Sequence, residues 1–502
     1  MNEILLSTLN AKYIHTSLGL RYLRANLGEL RERSSILEFT INQTTDDIVE
    51  AILQASPTIL GFGVYIWNIK ETEIVIRALK AIRPDIKVVL GGPELSHENG
   101  QESICQIADC TISGEADLSF KEVCINLLDG TAPPPFLKSP LPNIKEIKLP
   151  YNEYTDEDLA NRLIYVEASR GCPFKCEFCL SSIDVSVRGF DQKEFLDDMG
   201  TLLQRGCQKF KFVDRTFNLK ANKASAIMDF FLERMREDLF LHFEMIPDRL
   251  PDAIKTRLPK FPKGSLQLEI GLQSLNPEVG ERISRKMDLV ATRENFRFLG
   301  EHTTVHTHSD LIFGLPGESL QSIEDSFNQL WDMAPDEIQI GILKSLKGTP
   351  LKRHTQEYQM VYSSEPPYEL LQNRDLDFKT FLQLKRFARH FEIFINGGRF
   401  PNAMGVLIES SSQGPFLSLF HFSKWLWKES QQTHAISLNR QVDVMEKYVS
   451  QMSPQLKTKF EECLIIDFSN PSSNPKLSKR GLPTRLHSRL ASRFKQDQLD
   501  HD

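Results

Sequence analysis

The sequence predicts an α/β protein built in three successive parts: an open parallel sheet, a complete or partial β/α barrel, and a mostly helical extension. Three observations predict it. Short apolar runs alternate with amphipathic helical stretches from residue 3 onward, the same rhythm restarts after a proline-rich break, and past Pro350 helix-spaced apolar positions take over. At 502 residues the chain also exceeds the size at which a single core stops growing.

In the first part, residues 3–9, 36–41, 58–65, 86–90 and 110–112 read as strands, with helices at 18–30, 45–55, 69–82 and 119–128. A βα series of this kind makes a parallel, doubly wound sheet. Residues 129–142, with Gly130 and Pro133 to Pro135, cannot continue either element and read as a linker. The second series places strands at 163–168, 209–213, 241–245, 265–271, 306–313 and 337–343, and helices at 193–204, 221–235, 279–285 and 320–331. Six βα units in line suggest a barrel, because right-handed crossovers curl them one way, with an open sheet as the alternative. The expected boundaries are 1–142, 143–352 and 353–470, followed by a basic tail at 471–502 that composition suggests is flexible.

The formal charge of -7, from 60 basic and 67 acidic residues, exerts no general pull on nucleic acid. Five of the eight cysteines are scattered and three sit in one short run, unlike the disulfide framework of a small secreted domain. The N-terminus does not read as a signal peptide, and no apolar stretch reaches membrane-spanning length. These features predict a cytoplasmic protein without a membrane partner.

The strand at 163–168 runs into Ser-Arg-Gly-Cys172-Pro-Phe-Lys-Cys176-Glu-Phe178-Cys179, at the strand end where βα-barrel active sites are built. Three thiolates within eight residues can grip one face of an iron–sulfur cubane and leave its fourth iron without a protein ligand. The alternative is zinc, but a structural zinc site takes four protein ligands, and Cys207 and Cys463 stand alone.

The C-x-x-x-C-x-x-C run, with aromatic Phe178 before its last cysteine, resembles the hallmark of the radical S-adenosylmethionine (SAM) superfamily. That resemblance implies a 4Fe–4S cluster on Cys172, Cys176 and Cys179 and an open iron that chelates SAM for reductive cleavage to a 5′-deoxyadenosyl radical. It also implies SAM contacts from Phe178, from Asp214 in Phe-Val-Asp-Arg-Thr-Phe-Asn, from Glu269, Gln273 and Ser274 in Leu-Glu-Ile-Gly-Leu-Gln-Ser, and from Asp310 in Asp-Leu-Ile-Phe-Gly-Leu-Pro-Gly-Glu. His306 and His308 alternate with Asp310 and so point the same way along their strand; they are the candidates for a catalytic proton carrier.

The first part resembles the Rossmann-like cobalamin-binding domain that precedes the barrel in one class of these enzymes. Three segments carry the likeness: Val64, Tyr65 and Trp67 in Gly-Val-Tyr-Ile-Trp-Asn; Gly91, Gly92 and Pro93 in Leu-Gly-Gly-Pro-Glu; and Ser113, Gly114 and Glu115 in Ile-Ser-Gly-Glu. The loop Tyr-Ile-His15-Thr-Ser17-Leu-Gly departs from the Asp-x-His-x-x-Gly motif of proteins whose histidine ligates cobalt, so His15 and Ser17 are expected at the cofactor's tail or phosphate. No G-x-G-x-x-G follows the first strand, which argues against a dinucleotide. The C-terminal stretches around Glu365 and around Asn396 to Phe400 are similar to the extension of a poorly characterised subfamily of the same class.

The resemblance implies a cobalamin-dependent radical SAM enzyme, expected to be a methyltransferase acting on an unreactive carbon. A cobalamin-dependent rearrangement, cyclisation or oxidation without methyl transfer, and a non-enzymatic cluster and cobalamin sensor, are the alternatives. A small-molecule substrate is expected rather than a macromolecule, with an external electron donor of flavodoxin or ferredoxin type. No motif names the substrate.

Overall fold

The computed structural model describes residues 3–97, 101–409 and 412–469; the basic tail at 471–502 lies outside the described residues. The chain forms two compact units. The first holds residues up to 272, 277–309 and 343–370, and the second holds 273–276, 310–342 and the chain from 371.

The first unit opens with an all-parallel sheet of six strands: β1 (Ile4–Asn10), β2 (Ser34–Thr40), β3 (Ile59–Gly63), β4 (Lys87–Gly91), β5 (Cys110–Ser113) and β6 (Phe136–Lys138). Their order is β2-β1-β3-β4-β5-β6, so the winding direction reverses between β1 and β3. Open α/β sheets place ligands outside the carboxyl ends of their strands, at such a reversal. Helices α1 (Leu18–Ala25), α2 (Thr45–Ala55), α3 (Ile69–Ile82) and α4 (Ser119–Leu128) follow β1, β2, β3 and β5. β1 and β4 are buried on both faces, and two apolar cores result: one joins α2 and α3 to the sheet, the other α1 and α4.

The expected linker is in part a strand. β6 pairs with β5 from Phe136↔Thr111 onward, and the Pro135 carbonyl accepts a hydrogen bond from Thr111 N at 2.8 Å. Proline supplies no N–H, but an edge strand needs donors on one side only, so the proline run leads into the sheet's edge instead of ending the fold.

A second sheet begins with β7 (Ile164–Val166), after which a two-residue ribbon, β8 (Ser169–Arg170) against β9 (Arg188–Gly189), closes the base of the cysteine loop. β10 (Lys209–Phe212), β11 (Phe240–Met245) and β12 (Leu266–Gln273) follow, paired in parallel in the order β7-β10-β11-β12. Next in sequence, β13 (His306–Phe313) starts in this unit. α5 (Asp156–Asn161) precedes the sheet; α6 (Gln192–Gln204), α7 (Ala221–Leu232), α8 (Asp252–Lys255), α9 (Pro277–Arg282) and α10 (Leu289–His302) separate its strands. Along β12 and β13 burial alternates residue by residue, with Gln267, Glu269, His306 and His308 on the less buried face. That is the inside/outside alternation of a β/α layer.

The second unit carries the end of β13, then α11 (Leu320–Asp332), β14 (Glu337–Ile342) and five further helices: α12 (Phe378–Phe391), α13 (Pro401–Glu409), α14 (Gly414–Ser430), α15 (Leu438–Val449) and α16 (Pro454–Ser469). Its core is aromatic: Phe327 packs on Phe387, Phe391 and Phe416 at centroid distances of 5.4–5.7 Å, mostly edge to face. The sequence expectation of an α/β protein with a helical end matches this architecture.

Candidate active site

The cysteine loop leaves β7 at its carboxyl end. Gly171 adopts φ +88°, and a Cβ there would lie 1.8 Å from the Ser186 carbonyl oxygen, so the loop can cross itself only at a glycine. Cys172 N donates to Asp184 O at 3.0 Å and Cys179 N to Cys176 O at 3.1 Å, which fixes the backbone between the thiols. Cys172 and Cys176 are buried, Cys179 is half-buried, and all three are free thiols. Phe178 is half-buried beside them. Among the described residues no three His, Cys, Asp or Glu side chains converge as they would around a single metal ion. Three thiols on one loop suit one thiolate per iron of a cubane, and a structural zinc site would need a fourth protein ligand besides them.

Side chains far apart in sequence pin the loop. The carboxylate of Glu177, in the middle of the motif, accepts from Ser284 Oγ at 2.7 Å, His354 Nε2 at 2.9 Å and Arg353 Nε at 2.7 Å. Burial opposes its ionisation, yet these donors hold its pKa below the usual value. Arg285 reaches Cys176 Sγ at 3.4 Å and also bonds the Gly271 carbonyl. Its cation therefore stands where the net negative charge of a thiolate-held cluster would lie.

Asp214, at the end of β10, is tied to the start of the cysteine loop. Its Oδ2 accepts from Ala168 N at 2.9 Å and its Oδ1 from Ser169 Oγ at 2.6 Å, so both oxygens tie down the start of the loop. Complete burial pushes its pKa up to about 7. Glu269 lies within the barrel strands with His242 Nε2 at 3.0 Å and Lys211 Nζ at 3.4 Å. Burial works against its charge, but the His242 hydrogen bond and Lys211 take its pKa down to about 2. Gln267 Nε2 and His308 Nδ1 are 3.4 Å apart in the same layer. Barrel interiors are usually filled by branched apolar residues, so a layer of lysine, histidine and glutamate marks a place for polar chemistry.

In the second unit, Ser274 donates from Oγ to Glu318 Oε1 at 2.6 Å, Gln273 takes a left-handed φ of +71°, and Asp310 is half-buried on the same face of β13 as His306 and His308.

A cavity of about 200 Å³ opens at the carboxyl ends of β3, β4 and β5; Gly63, Gly91, Gly114, Leu20, Phe120 and Tyr22 are among the residues that line it. Gly92, at φ +121°, would place a Cβ 2.2 Å from the Val64 carbonyl oxygen, and Val64 N donates to Gly91 O at 2.8 Å. The loops after β3 and β4 are thus laced together through backbone alone, the close approach a bulky cofactor's tail requires. Val64 contributes only backbone here, since its side chain lies in the core. Tyr65 and Trp67 stack at 4.5 Å with an angle of 6°, and Trp67 stays 43% exposed while its Nε1 donates to Leu9 O. A flat aromatic pair at a strand end suits the planar face of a macrocycle. Pro93 is half-buried, and Ser113 Oγ donates to Ser96 O at 2.8 Å.

Ser17 caps α1 by accepting from Leu20 N, and its own N–H donates to Glu38. His15 Nδ1 lies 2.8 Å from the Tyr165 hydroxyl, and burial lowers its pKa. Glu115 meets both Arg170 and Arg188, the facing pair of the β8–β9 ribbon. Sequence reasoning missed Arg170, Arg188, Asp117, Arg285, Lys211 and His242. The one signal for Arg170 was its place two residues before Cys172.

Comparison with known proteins agrees with this layout. Family models match in chain order: the B12 binding domain over residues 5–124, the radical SAM superfamily over 166–330, and a protein of unknown function, DUF4080, over 356–500. An uncharacterized methyltransferase of Pyrococcus horikoshii is 26% identical over 365 residues, covering 66% of this chain and 77% of that protein. The cobalamin-dependent radical SAM methyltransferase TokK of Streptomyces tokunonensis is 25% identical over 345 residues, 60% of this chain but only 49% of TokK. The structure of the cobalamin-dependent SAM radical enzyme OxsB with aqua-cobalamin bound superposes on 98% of this chain and 84% of its own, with a TM-score of 0.61 at 13% identity, which shows a shared fold. Among the described residues no helix is long and apolar enough to cross a membrane. The chain is a radical SAM enzyme with a B12-binding domain before the barrel and a DUF4080 domain after it, and its cofactors are a 4Fe–4S cluster, SAM and cobalamin.

Proposed function

We propose that the enzyme transfers a methyl group to an unreactive carbon of a small-molecule substrate. One observation carries the reading: the loop bearing Cys172, Cys176 and Cys179 is ion-paired at its base, through Arg170, to Glu115 and Asp117 in the wall of the cavity after β5. The sites for a cluster and for cobalamin thus share a wall within one compact unit. When bound, the cluster with SAM supplies a 5′-deoxyadenosyl radical and cobalamin supplies a methyl group.

The chain's own residues then have separable tasks. Cys172, Cys176 and Cys179 hold three irons, and Phe178 shields them. Arg285 offers a cation to the SAM carboxylate, and Glu269, Gln273, Ser274 and Asp310 bind the rest of SAM. Asp214 anchors the loop from below. The backbone of Val64, Gly91, Gly92 and Gly114 cradles cobalamin, with Tyr65 and Trp67 against its ring and His15, Ser17, Pro93, Ser113 and Glu115 around its tail. His306 and His308 are the candidates for handling a substrate proton.

The parts correspond to residues 1–142, 143–352 and 353–470, and the electron donor is a flavodoxin or ferredoxin of the cytoplasm. Reconstituted enzyme, supplied with methyl-labelled SAM, a reductant and extracts fractionated for small molecules, should release 5′-deoxyadenosine and leave label in a product. Release of 5′-deoxyadenosine with an unlabelled product would replace methyl transfer by rearrangement or oxidation. No cleavage of SAM at all would leave a sensor.

A further inference from the structure

We propose that Arg170 makes cobalamin binding and cluster assembly interdependent, each favouring the other, an inference that rests on the cofactor sites assigned above. Arg170 is a positioning residue. Its Nε donates to Glu167 Oε1 at 2.8 Å, one terminal nitrogen to Glu115 Oε2 at 2.8 Å and Asp117 Oδ2 at 2.9 Å, and the other to Asp117 Oδ1 at 2.9 Å. The guanidinium lies 4.4 Å over the ring of Tyr22, which stacks in turn on Phe190. Only a planar fork makes these contacts together; a lysine could not.

The two ends of this network belong to different cofactors. Glu115, Asp117, Tyr22 and Arg170 itself all line the cavity. Arg170 is also half of the β8–β9 ribbon from which the cysteine loop springs, and its ribbon partner Arg188 holds both Glu115 and Asp184, whose carbonyl accepts from Cys172 N. Glu115 keeps 25% of its side chain exposed, whereas that of Asp117 keeps 7%. A ligand filling the cavity would therefore strip water chiefly from Glu115, and an ion pair strengthens as its surroundings dry. The firmer ribbon would hold the three-cysteine loop closer to one conformation before iron arrives, so less entropy is lost on assembly. Reciprocity then requires the assembled cluster to tighten cobalamin binding by the same factor.

The test titrates hydroxocobalamin, followed by its absorbance, into full-length protein with and without an anaerobically reconstituted 4Fe–4S cluster, in the wild type, Arg170→Met and Asp117→Asn. The wild type should bind cobalamin about tenfold more tightly when the cluster is present, within the usual range of such couplings. Iron loss to a chelator should slow when cobalamin is bound. Both variants should lose the difference in affinity between cluster-loaded and cluster-free protein, whatever their affinity for either cofactor alone; Asp117→Asn guards against Arg170→Met failing to fold. Equal affinity with and without the cluster in the wild type, or an undiminished difference in both variants, would overturn the linkage while leaving the cofactor sites intact. Cobalamin failing to bind any form would instead overturn the site assignment on which the linkage stands.

Discussion

The cavity at the ends of β3, β4 and β5 and the cysteine loop stand on the same unit and solve the same problem, holding a loop open for a large group, by different means. Around the cavity the work is done by backbone: Val64, Gly91 and Gly92 interlock main chain to main chain, with apolar side chains behind them. At the cysteine loop it is done by charge: Glu177 gathers Ser284, Arg353 and His354, while Arg170 and Arg188 gather Glu115, Asp117, Glu167 and Asp184. The difference suits the two ligands. A bulky nucleotide tail needs close approach of the backbone, whereas a loop that wraps a net-negative cluster needs fixed cations and a defined shape.

The contrast breaks most severely at the glycines, where both loops rely on backbone. Gly171→Ala should prevent reconstitution of the cluster, since its Cβ meets a carbonyl oxygen at 1.8 Å; Gly92→Ala should abolish cobalamin retention while the cluster can still be reconstituted. Each combines a left-handed φ with a backbone clash, a cost of at least about 2 kcal/mol. Iron and cobalamin assays on the same preparations separate the two effects, and loss of both cofactors in both variants would erase the distinction between the loops.

Asp214 sharpens the comparison on the charged side. Its carboxyl ionises at about 7 in the folded protein against 3.8 for the free group. Below pH 4 it is protonated in both states, so its contribution is then most favourable. Between about pH 4 and 7 the unfolded chain ionises first and stability falls as pH rises, by an amount on the order of a few kcal/mol. Asp214→Asn should flatten that part of a denaturation profile; a slope unchanged from wild type would mean the carboxyl titrates normally.

Glu177→Gln should cost about 1–3 kcal/mol, because the neutral amide leaves Arg353 and His354 with a weaker acceptor at a buried position. Urea denaturation of the apoprotein reads it directly. At the other extreme, Lys193→Ala removes an exposed i,i+4 pair with Asp197 on α6 and should leave the urea midpoint unchanged. A shift there would show that exposed pairs matter as much as those under the cysteine loop.

The backbone-built half was also the legible half. Gly91, Gly92 and Gly114 announce close approach by their identity, and the three cysteines announce a cluster by their spacing, so the strand ends could be placed and the cofactors expected from the sequence. α2, α3 and α4 begin and end where their apolar periodicity predicted. The charge-built half was opaque for a physical reason. Glu177 finds Ser284 and Arg353 more than 100 residues away, and Arg170 finds Asp117 across 53, so nothing local marks an arginine as a brace and not a solvated surface residue. Asp214 was located at its strand end from the sequence, but the hydrogen bonds that tie its two oxygens to Ala168 and Ser169 were not legible there. β6 was missed because three prolines obscure a strand that needs only one edge paired.

The central claim is that three thiolates hold a four-iron cluster with one iron left for SAM. Electron paramagnetic resonance of the dithionite-reduced, anaerobically reconstituted enzyme tests it most directly. The account predicts a reduced 4Fe–4S signal whose g-values shift when SAM is added and which disappears in Cys172→Ser. A reduced signal indifferent to SAM, or a protein that takes up a single zinc ion in place of iron, would contradict it.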